Sequence, residues 1–132
     1  RVHPTCGAEV RGLQLRGISD EDLGEVRRRF AGHGVVFFRE AGGPGGAALT
    51  EEEHLAFAER LGPIQVNPFI PAVEGRPAIA KVEKTPAMRR AIGESFHADH
   101  TYDLAPAMGS LLVARSLPAS GGDTIFVSMY KA

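Results

Sequence analysis

The sequence predicts an α+β fold, with two helices in its first half and several short strands further along. Apolar residues recur at helical spacing in 20–31 and 50–61, and short runs rich in β-branched residues lie between turn-forming segments. The chain has 132 residues, so it is one domain or a piece of one. With 43% hydrophobic and 23% charged residues, it has the composition of a folded globular chain.

The first helix is predicted over about 20–31. Ser19 is a typical helix N-cap, and Leu23, Val26 and Phe30 recur at the spacing of one helix face. The glycines that follow Phe30 can end a helix.

The second helix is predicted from Thr50 onward. Thr50 and Glu53 have the spacing of a capping box, in which each residue's side chain bonds the other's backbone N–H. Leu55 and Leu61 lie on one face, and the Gly-Pro pair at 62–63 ends the helix.

Strands and loops fill the rest of the chain. Four prolines in 63–77 exclude a regular helix there and favour a loop with short extended pieces, and the glycine-rich segment 41–48 is predicted to be a surface loop. Alternation or compact β-branched runs predict strands at 9–15, 35–38, 79–82, 107–114 and 124–128.

Composition excludes several classes of protein. Lys and Arg total 15 and Asp and Glu total 16, so no bulk charge favours nucleic acid or an anionic membrane as a partner. Cys6 is the only cysteine, which excludes an intrachain disulfide and a thiolate-rich zinc site. The sequence has no apolar run long enough to span a membrane and no secretory signal pattern, so we expect a cytoplasmic protein; its abundant Ala, Arg and Gly favour a bacterial source.

His97 and Asp99 form the pattern with the clearest chemical meaning. Side chains two residues apart on a strand point to the same face, so this imidazole and this carboxylate are expected to point together. They supply two corners of the two-histidine, one-carboxylate triad, which leaves positions on Fe(II) open. A two-residue motif also arises by chance, and the alternative is an ordinary histidine beside an aspartate.

Longer segments support the metal-binding interpretation. Residues 96–102, 106–110 and 117–124 have the sequences FHADHTY, PAMGS and LPASGGDT. Together they resemble the taurine dioxygenase (TauD/TfdA) superfamily, and 32–39 and 57–63 are similar to that family's early strand and helix. The resemblance covers the chain from about Gly7 to its end.

The resemblance implies a double-stranded β-helix, or jelly-roll, core with flanking N-terminal helices, of which 1–132 is the N-terminal part. It implies a dioxygenase in which 2-oxoglutarate chelates Fe(II), dioxygen is consumed, and succinate, CO₂ and a hydroxylated small organic substrate result. His97 and Asp99 correspond to the first two iron ligands. Thr124 corresponds to a threonine whose hydroxyl bonds a carboxylate of 2-oxoglutarate.

Two residues that the family requires lie beyond this chain. The distal histidine ligand and the arginine that pairs with the co-substrate follow Thr124 in the family, and the sequence ends at Ala132 before either. We therefore expect an incomplete jelly roll, weak or no iron binding and no activity from these 132 residues alone.

The substrate is predicted to differ from taurine. Asn67 and Ile70 lie where the family's taurine-binding histidine and tyrosine fall, and Gly93 replaces an asparagine that precedes the first ligand. Asn67, Ile70 and His100 are the candidate substrate residues.

Two alternatives remain open from the sequence. One is a non-catalytic jelly-roll binding module in which His97 and Asp99 make only a local hydrogen bond. The other is a cupin-like metalloenzyme that does not use 2-oxoglutarate. The expected partners of an oxygenase are a small-molecule substrate and dioxygen, without nucleic acid or membrane, and self-association is left open.

Overall fold

The computed structural model describes residues 2–43 and 45–131, which divide between two compact units. The first unit comprises Arg1–Gly62 and Val113–Ala132, and the second unit comprises Pro63–Leu112. In chain order the elements are β1 (Ala8–Glu9), α1 (Asp20–His33), β2 (Val36–Phe37), α2 (Glu51–Leu61), β3 (Ala72–Val73) and β4 (Arg76–Ala80). In the part of the chain described, neither helix is long and apolar enough to cross a membrane.

Local capping fixes the ends of α1. The Ser19 hydroxyl accepts a hydrogen bond from the Asp22 amide at 3.1 Å, which satisfies one of the free N–H groups of the first turn. The helix ends at Gly34, whose φ of 71° lies in the left-handed region that glycine adopts without steric cost. The predicted helix is confirmed and extends two residues beyond the predicted end.

The capping box of α2 is confirmed. The Glu53 amide donates to the Thr50 hydroxyl at 3.2 Å, and the Glu53 carboxylate accepts from the Thr50 amide at 2.9 Å. That backbone bond, followed by the Arg16 guanidinium, holds the pKa of Glu53 below its usual value. A lowered carboxyl pKa contributes stability above the unfolded-state pKa, and this contribution is lost as the pH falls through the folded-state pKa.

In the first unit, α1 packs against the parallel pair β1 and β2, in which Ala8 lies opposite Val36, and α2 packs against α1. Its buried apolar residues are Ala8, Leu15, Ile18, Leu23, Val26, Leu49 and Phe57. Arg27 of α1 contacts α2 directly, because its guanidinium donates a hydrogen bond to the Arg60 carbonyl at 2.7 Å. The strand predicted over 9–15 is wrong beyond Glu9, where regular pairing with β2 ends. Within that range Gly12 has a left-handed φ of 70°, which a regular strand does not contain.

The remaining strand of the first half is shorter than predicted. Pairing covers only Val36–Phe37 of the predicted 35–38, and these residues are half-buried. The predicted glycine-rich loop over 41–48 consists of turns and irregular backbone, apart from Pro44, which lies outside the described residues.

The second unit contains one antiparallel pair. β3 pairs with β4 through Ala72 and Ala80, and the turn between them passes through Gly75 at φ 69°. The strand predicted at 79–82 is therefore observed slightly earlier, and β3 is one of the short extended pieces expected in the proline-rich segment.

The strands predicted at 107–114 and 124–128 are wrong as secondary structure, because neither segment pairs with a strand among the described residues. A strand exists only through hydrogen bonds to a neighbouring strand, so a favourable sequence without such a neighbour stays irregular. Large apolar side chains remain exposed in and beside these segments: Leu104, Met108, Leu112, Leu117, Ile125, Phe126 and Val127. Two helices with short strands agree with the α+β class, and the jelly-roll core stays a prediction.

Candidate metal centre

His97 and Asp99 lie in an irregular segment of the second unit. The strand on which their convergence was expected is absent, and a turn begins at Asp99. The two side chains nevertheless lie together, with His97 Nε2 3.1 Å from Asp99 Oδ1. The two groups therefore meet in irregular backbone that precedes this turn, and not through strand alternation.

The proton on His97 can be assigned from its partner. Nδ1 lies 2.7 Å from the Ser95 carbonyl oxygen, which only accepts, so Nδ1 carries a proton and donates it. Nε2 then faces the Asp99 carboxylate with either a lone pair or a second proton. The pair therefore presents a ring nitrogen and a carboxylate oxygen side by side.

The spacing of His97 and Asp99 fits a metal ion. Two ligand atoms at adjacent corners of an octahedral site, each about 2.1 Å from the metal, lie roughly 3.0 Å apart. The observed 3.1 Å between His97 Nε2 and Asp99 Oδ1 agrees with that value, and it agrees equally with a direct hydrogen bond between the two groups. The two side chains are 55% and 56% exposed, so ions can reach them.

Gly93 leaves room for the imidazole of His97. A Cβ at Gly93 would lie 3.0 Å from His97 Cε1, which is closer than side chains normally approach. Gly93 also has a φ of 75°, which other residues rarely adopt. The ring of His97 therefore packs directly on the backbone at Gly93. This contact gives a structural role to the glycine that stands where the resemblance places an asparagine.

His100 and Asn67, two of the candidate substrate residues, are brought together. Asn67 Oδ1 accepts from the amides of Phe69 at 2.8 Å and Ile70 at 3.1 Å, so its NH₂ group faces His100 Nε2 at 3.4 Å. On the other side of the ring, His100 Nδ1 donates to Asp103 Oδ2 at 3.0 Å. These partners assign the Nδ1–H tautomer to a neutral His100.

Asp103 closes the turn that follows Asp99. Its amide donates to the His100 carbonyl at 3.0 Å, and its carboxylate also accepts from Gln65 at 3.1 Å. His100 itself has a φ of 53°, a left-handed conformation that costs most side chains energy. The hydrogen bonds on both sides of its ring hold it there.

Sequence reasoning missed Ser110, whose hydroxyl donates to Asp99 Oδ2 at 2.9 Å. It also missed Gln65 and Asp103. The spacing of Asp103, three residues after His100, is a turn signal that could have identified it. No local signal identifies Gln65 or Ser110, because their partners lie far away in the sequence.

The remaining predicted residue and the size of the ligand set complete the description of the site. Thr124 lies in the first unit, where it is exposed. Within the described residues, no group of three or more His, Cys, Asp or Glu side chains is placed to hold a metal. His97 and Asp99 are thus two candidate metal ligands and not a complete ligand set.

Comparisons with known proteins agree with the resemblance. The family model described as "Taurine catabolism dioxygenase TauD, TfdA family" matches residues 1–132. The chain is 31% identical to an alpha-ketoglutarate-dependent sulfate ester dioxygenase of Pseudomonas putida, over 96% of this chain and 41% of that protein. It is 29% identical to an (S)-phenoxypropionate/alpha-ketoglutarate-dioxygenase of Delftia acidovorans, over 97% and 45%.

A third relative is similar at a lower identity. The alpha-ketoglutarate-dependent 2,4-dichlorophenoxyacetate dioxygenase of Cupriavidus pinatubonensis is 26% identical, over 99% of this chain and 50% of that protein. The chain therefore spans half or less of the length of these curated relatives.

Gly93→Ala in the full-length protein is expected to weaken binding of a divalent metal by about tenfold or more, the usual effect of disturbing the support of a ligand. The added methyl group would displace the His97 ring. Gly121→Ala is the matched control, because Gly121 has the same φ of 75° but nothing within 4 Å of its Cβ position. Titration with Co²⁺ measures both affinities, and equal affinities for the two variants would contradict a role for Gly93 in placing His97.

Proposed function

Because the chain belongs to the taurine catabolism dioxygenase TauD, TfdA family, we propose that it is part of an Fe(II)- and 2-oxoglutarate-dependent dioxygenase that hydroxylates a small organic substrate. Enzymes of this family use Fe(II) and 2-oxoglutarate. One atom of dioxygen enters a substrate C–H bond as a hydroxyl group. The other enters 2-oxoglutarate, which loses CO₂ and becomes succinate.

The observation that carries the proposal is the 3.1 Å approach of His97 Nε2 to Asp99 Oδ1. In the proposal these atoms bind the iron, and a histidine outside the 132 residues completes the triad. Bound Fe(II) supplies open coordination positions to 2-oxoglutarate and dioxygen. The Ser95 carbonyl keeps the proton of His97 on Nδ1, so that the Nε2 lone pair is available.

Thr124 is proposed to bind 2-oxoglutarate. Its hydroxyl is an exposed donor, suited to one carboxylate oxygen of the co-substrate. The support for this role is the match of 117–124 to the family pattern.

In the proposal, residues 1–132 form the N-terminal part of one dioxygenase domain with a jelly-roll core. The relatives are at least twice as long as the matched region. The exposed apolar side chains between Leu104 and Tyr130 also support this proposal, because a folded domain buries such a surface against further chain. The segments 107–114 and 124–128 would then find their strand partners in that chain.

The proposed substrate is a small organic anion with an apolar body. The relatives are named for a sulfate ester, phenoxypropionate and 2,4-dichlorophenoxyacetate, each of which combines an anionic group with carbon-rich structure. Asn67, Ile70 and His100 are proposed to line the substrate site. Phe69 and Tyr102, whose rings meet edge to face at 6.3 Å, offer an apolar wall in the same unit.

Anaerobic addition of Fe(II) to the full-length protein with 2-oxoglutarate is expected to produce the weak visible charge-transfer band of the chelate. His97→Ala and Asp99→Ala each remove one donor atom and should abolish the band. His3→Ala is the matched control, since His3 is an exposed histidine of the first unit, and it should retain the band.

The possible results separate the alternative functions. Iron binding without a 2-oxoglutarate band would favour a metalloenzyme that does not use this co-substrate. No binding of iron by the folded full-length protein would favour a non-catalytic binding module.

Alkyl sulfate esters and phenoxyalkanoates are expected to stimulate conversion of 2-oxoglutarate to succinate, and taurine is expected to give little stimulation. The reason is that the family resemblance places Asn67 and Ile70 where the taurine-binding histidine and tyrosine fall. Succinate formation with each compound measures this preference. Strong stimulation by taurine alone would contradict the proposed substrate class.

A further inference from the structure

Ser110 contacts the carboxylate of Asp99 on the side away from His97. Its hydroxyl donates to Asp99 Oδ2 at 2.9 Å, whereas Asp99 Oδ1 faces His97 Nε2 at 3.1 Å. An ionised carboxylate only accepts, so the direction of the Ser110 bond is fixed. The two carboxylate oxygens of Asp99 therefore have different partners.

We infer that Ser110 is a positioning residue that selects Oδ1 of Asp99 as the metal-binding oxygen and keeps Oδ2 off the metal. The inference rests on the proposed function, because it assigns a role around the proposed iron ligand. Hydrogen bonds to ligating carboxylates orient them and tune metal affinity. A hydrogen bond to a charged acceptor is also stronger than one between neutral groups, so one hydroxyl suffices to bias the carboxylate.

A positioning residue is needed because the carboxylate of an aspartate rotates easily about its terminal torsion. The terminal torsion of Asp is broad, so an unrestrained Asp99 can exchange its oxygens or present both to a metal. More than half of the Asp99 side chain is exposed, so packing alone does not hold it. Ser110 restricts the rotation and leaves one oxygen facing Nε2, which favours a ligand bound through a single atom.

The backbone supports this contact at its Asp99 end. Ser110 lies eleven positions after Asp99. Between them the chain turns at His100, where the Asp103 amide donates to the His100 carbonyl at 3.0 Å. The side-chain bond from His100 to Asp103 holds the same turn. The start of the loop that leads from Asp99 to Ser110 is thus held by His100 and Asp103.

The experiment compares Co²⁺ binding by four full-length proteins: wild type, Ser110→Ala, Ser110→Thr and Ser116→Ala. Co²⁺ binds nitrogen and oxygen ligands, and its visible absorption reports both affinity and coordination. Ser110→Ala removes only the hydroxyl of an exposed residue, so the fold should persist, which circular dichroism checks. Ser110→Thr keeps the hydroxyl, and Ser116→Ala makes the same change at another exposed serine.

Ser110→Ala is expected to bind Co²⁺ about 10–100-fold more weakly, the range found for lost hydrogen bonds to metal ligands, with an altered visible spectrum. Ser110→Thr should restore the wild-type affinity and spectrum, and Ser116→Ala should leave both unchanged. Wild-type affinity in Ser110→Ala would overturn the positioning role alone, as would a Ser110→Thr variant as weak as Ser110→Ala. Failure of the wild-type protein to bind Co²⁺ would overturn both this inference and the proposed function.

Discussion

The close approach of His97 Nε2 to Asp99 Oδ1 is the constraint on which the site depends. With Nδ1 donating to the Ser95 carbonyl, the lone pair of a neutral His97 faces a carboxylate at 3.1 Å. A metal ion between the two atoms would bind both of them, which is the role proposed for the pair. Gly93 has no side chain, so the His97 ring can lie against the backbone there while Nε2 faces Asp99.

A hydrogen-bonded network in the second unit holds the turn beside this pair. His100, next to Asp99, adopts a left-handed conformation that costs about 1–2 kcal/mol in most residues. Asn67 and Asp103 bond the two nitrogens of its ring, and Gln65 bonds the same carboxylate oxygen of Asp103. The network offsets the cost because several hydrogen bonds depend on one ring position. Asn67 and His100 thus support the turn as well as being proposed to meet the substrate.

Whether a feature could be predicted from the sequence depends on how far apart in the sequence its interacting residues lie. The capping residues Ser19 and Thr50 and the terminating Gly34 act within a few positions, so both helices were predictable. The strands expected at 107–114 and 124–128 need distant partners, so a favourable sequence there did not produce strands. The spacing of the two metal-binding candidates predicted their convergence, although through the wrong local geometry. Ser110, which bonds Asp99, and Gln65, which bonds Asp103, act across eleven and thirty-eight positions, beyond any sequence pattern.

The most direct test of the account is a crystal structure of the full-length protein grown anaerobically with Fe(II) and 2-oxoglutarate, with anomalous scattering used to locate iron. The account predicts one iron peak about 2.1 Å from both His97 Nε2 and Asp99 Oδ1. It also predicts that Ser110 still donates to Asp99 Oδ2 and that a histidine absent from these 132 residues is the third protein ligand. An iron peak bound elsewhere, with His97 and Asp99 bonded only to each other, would contradict it.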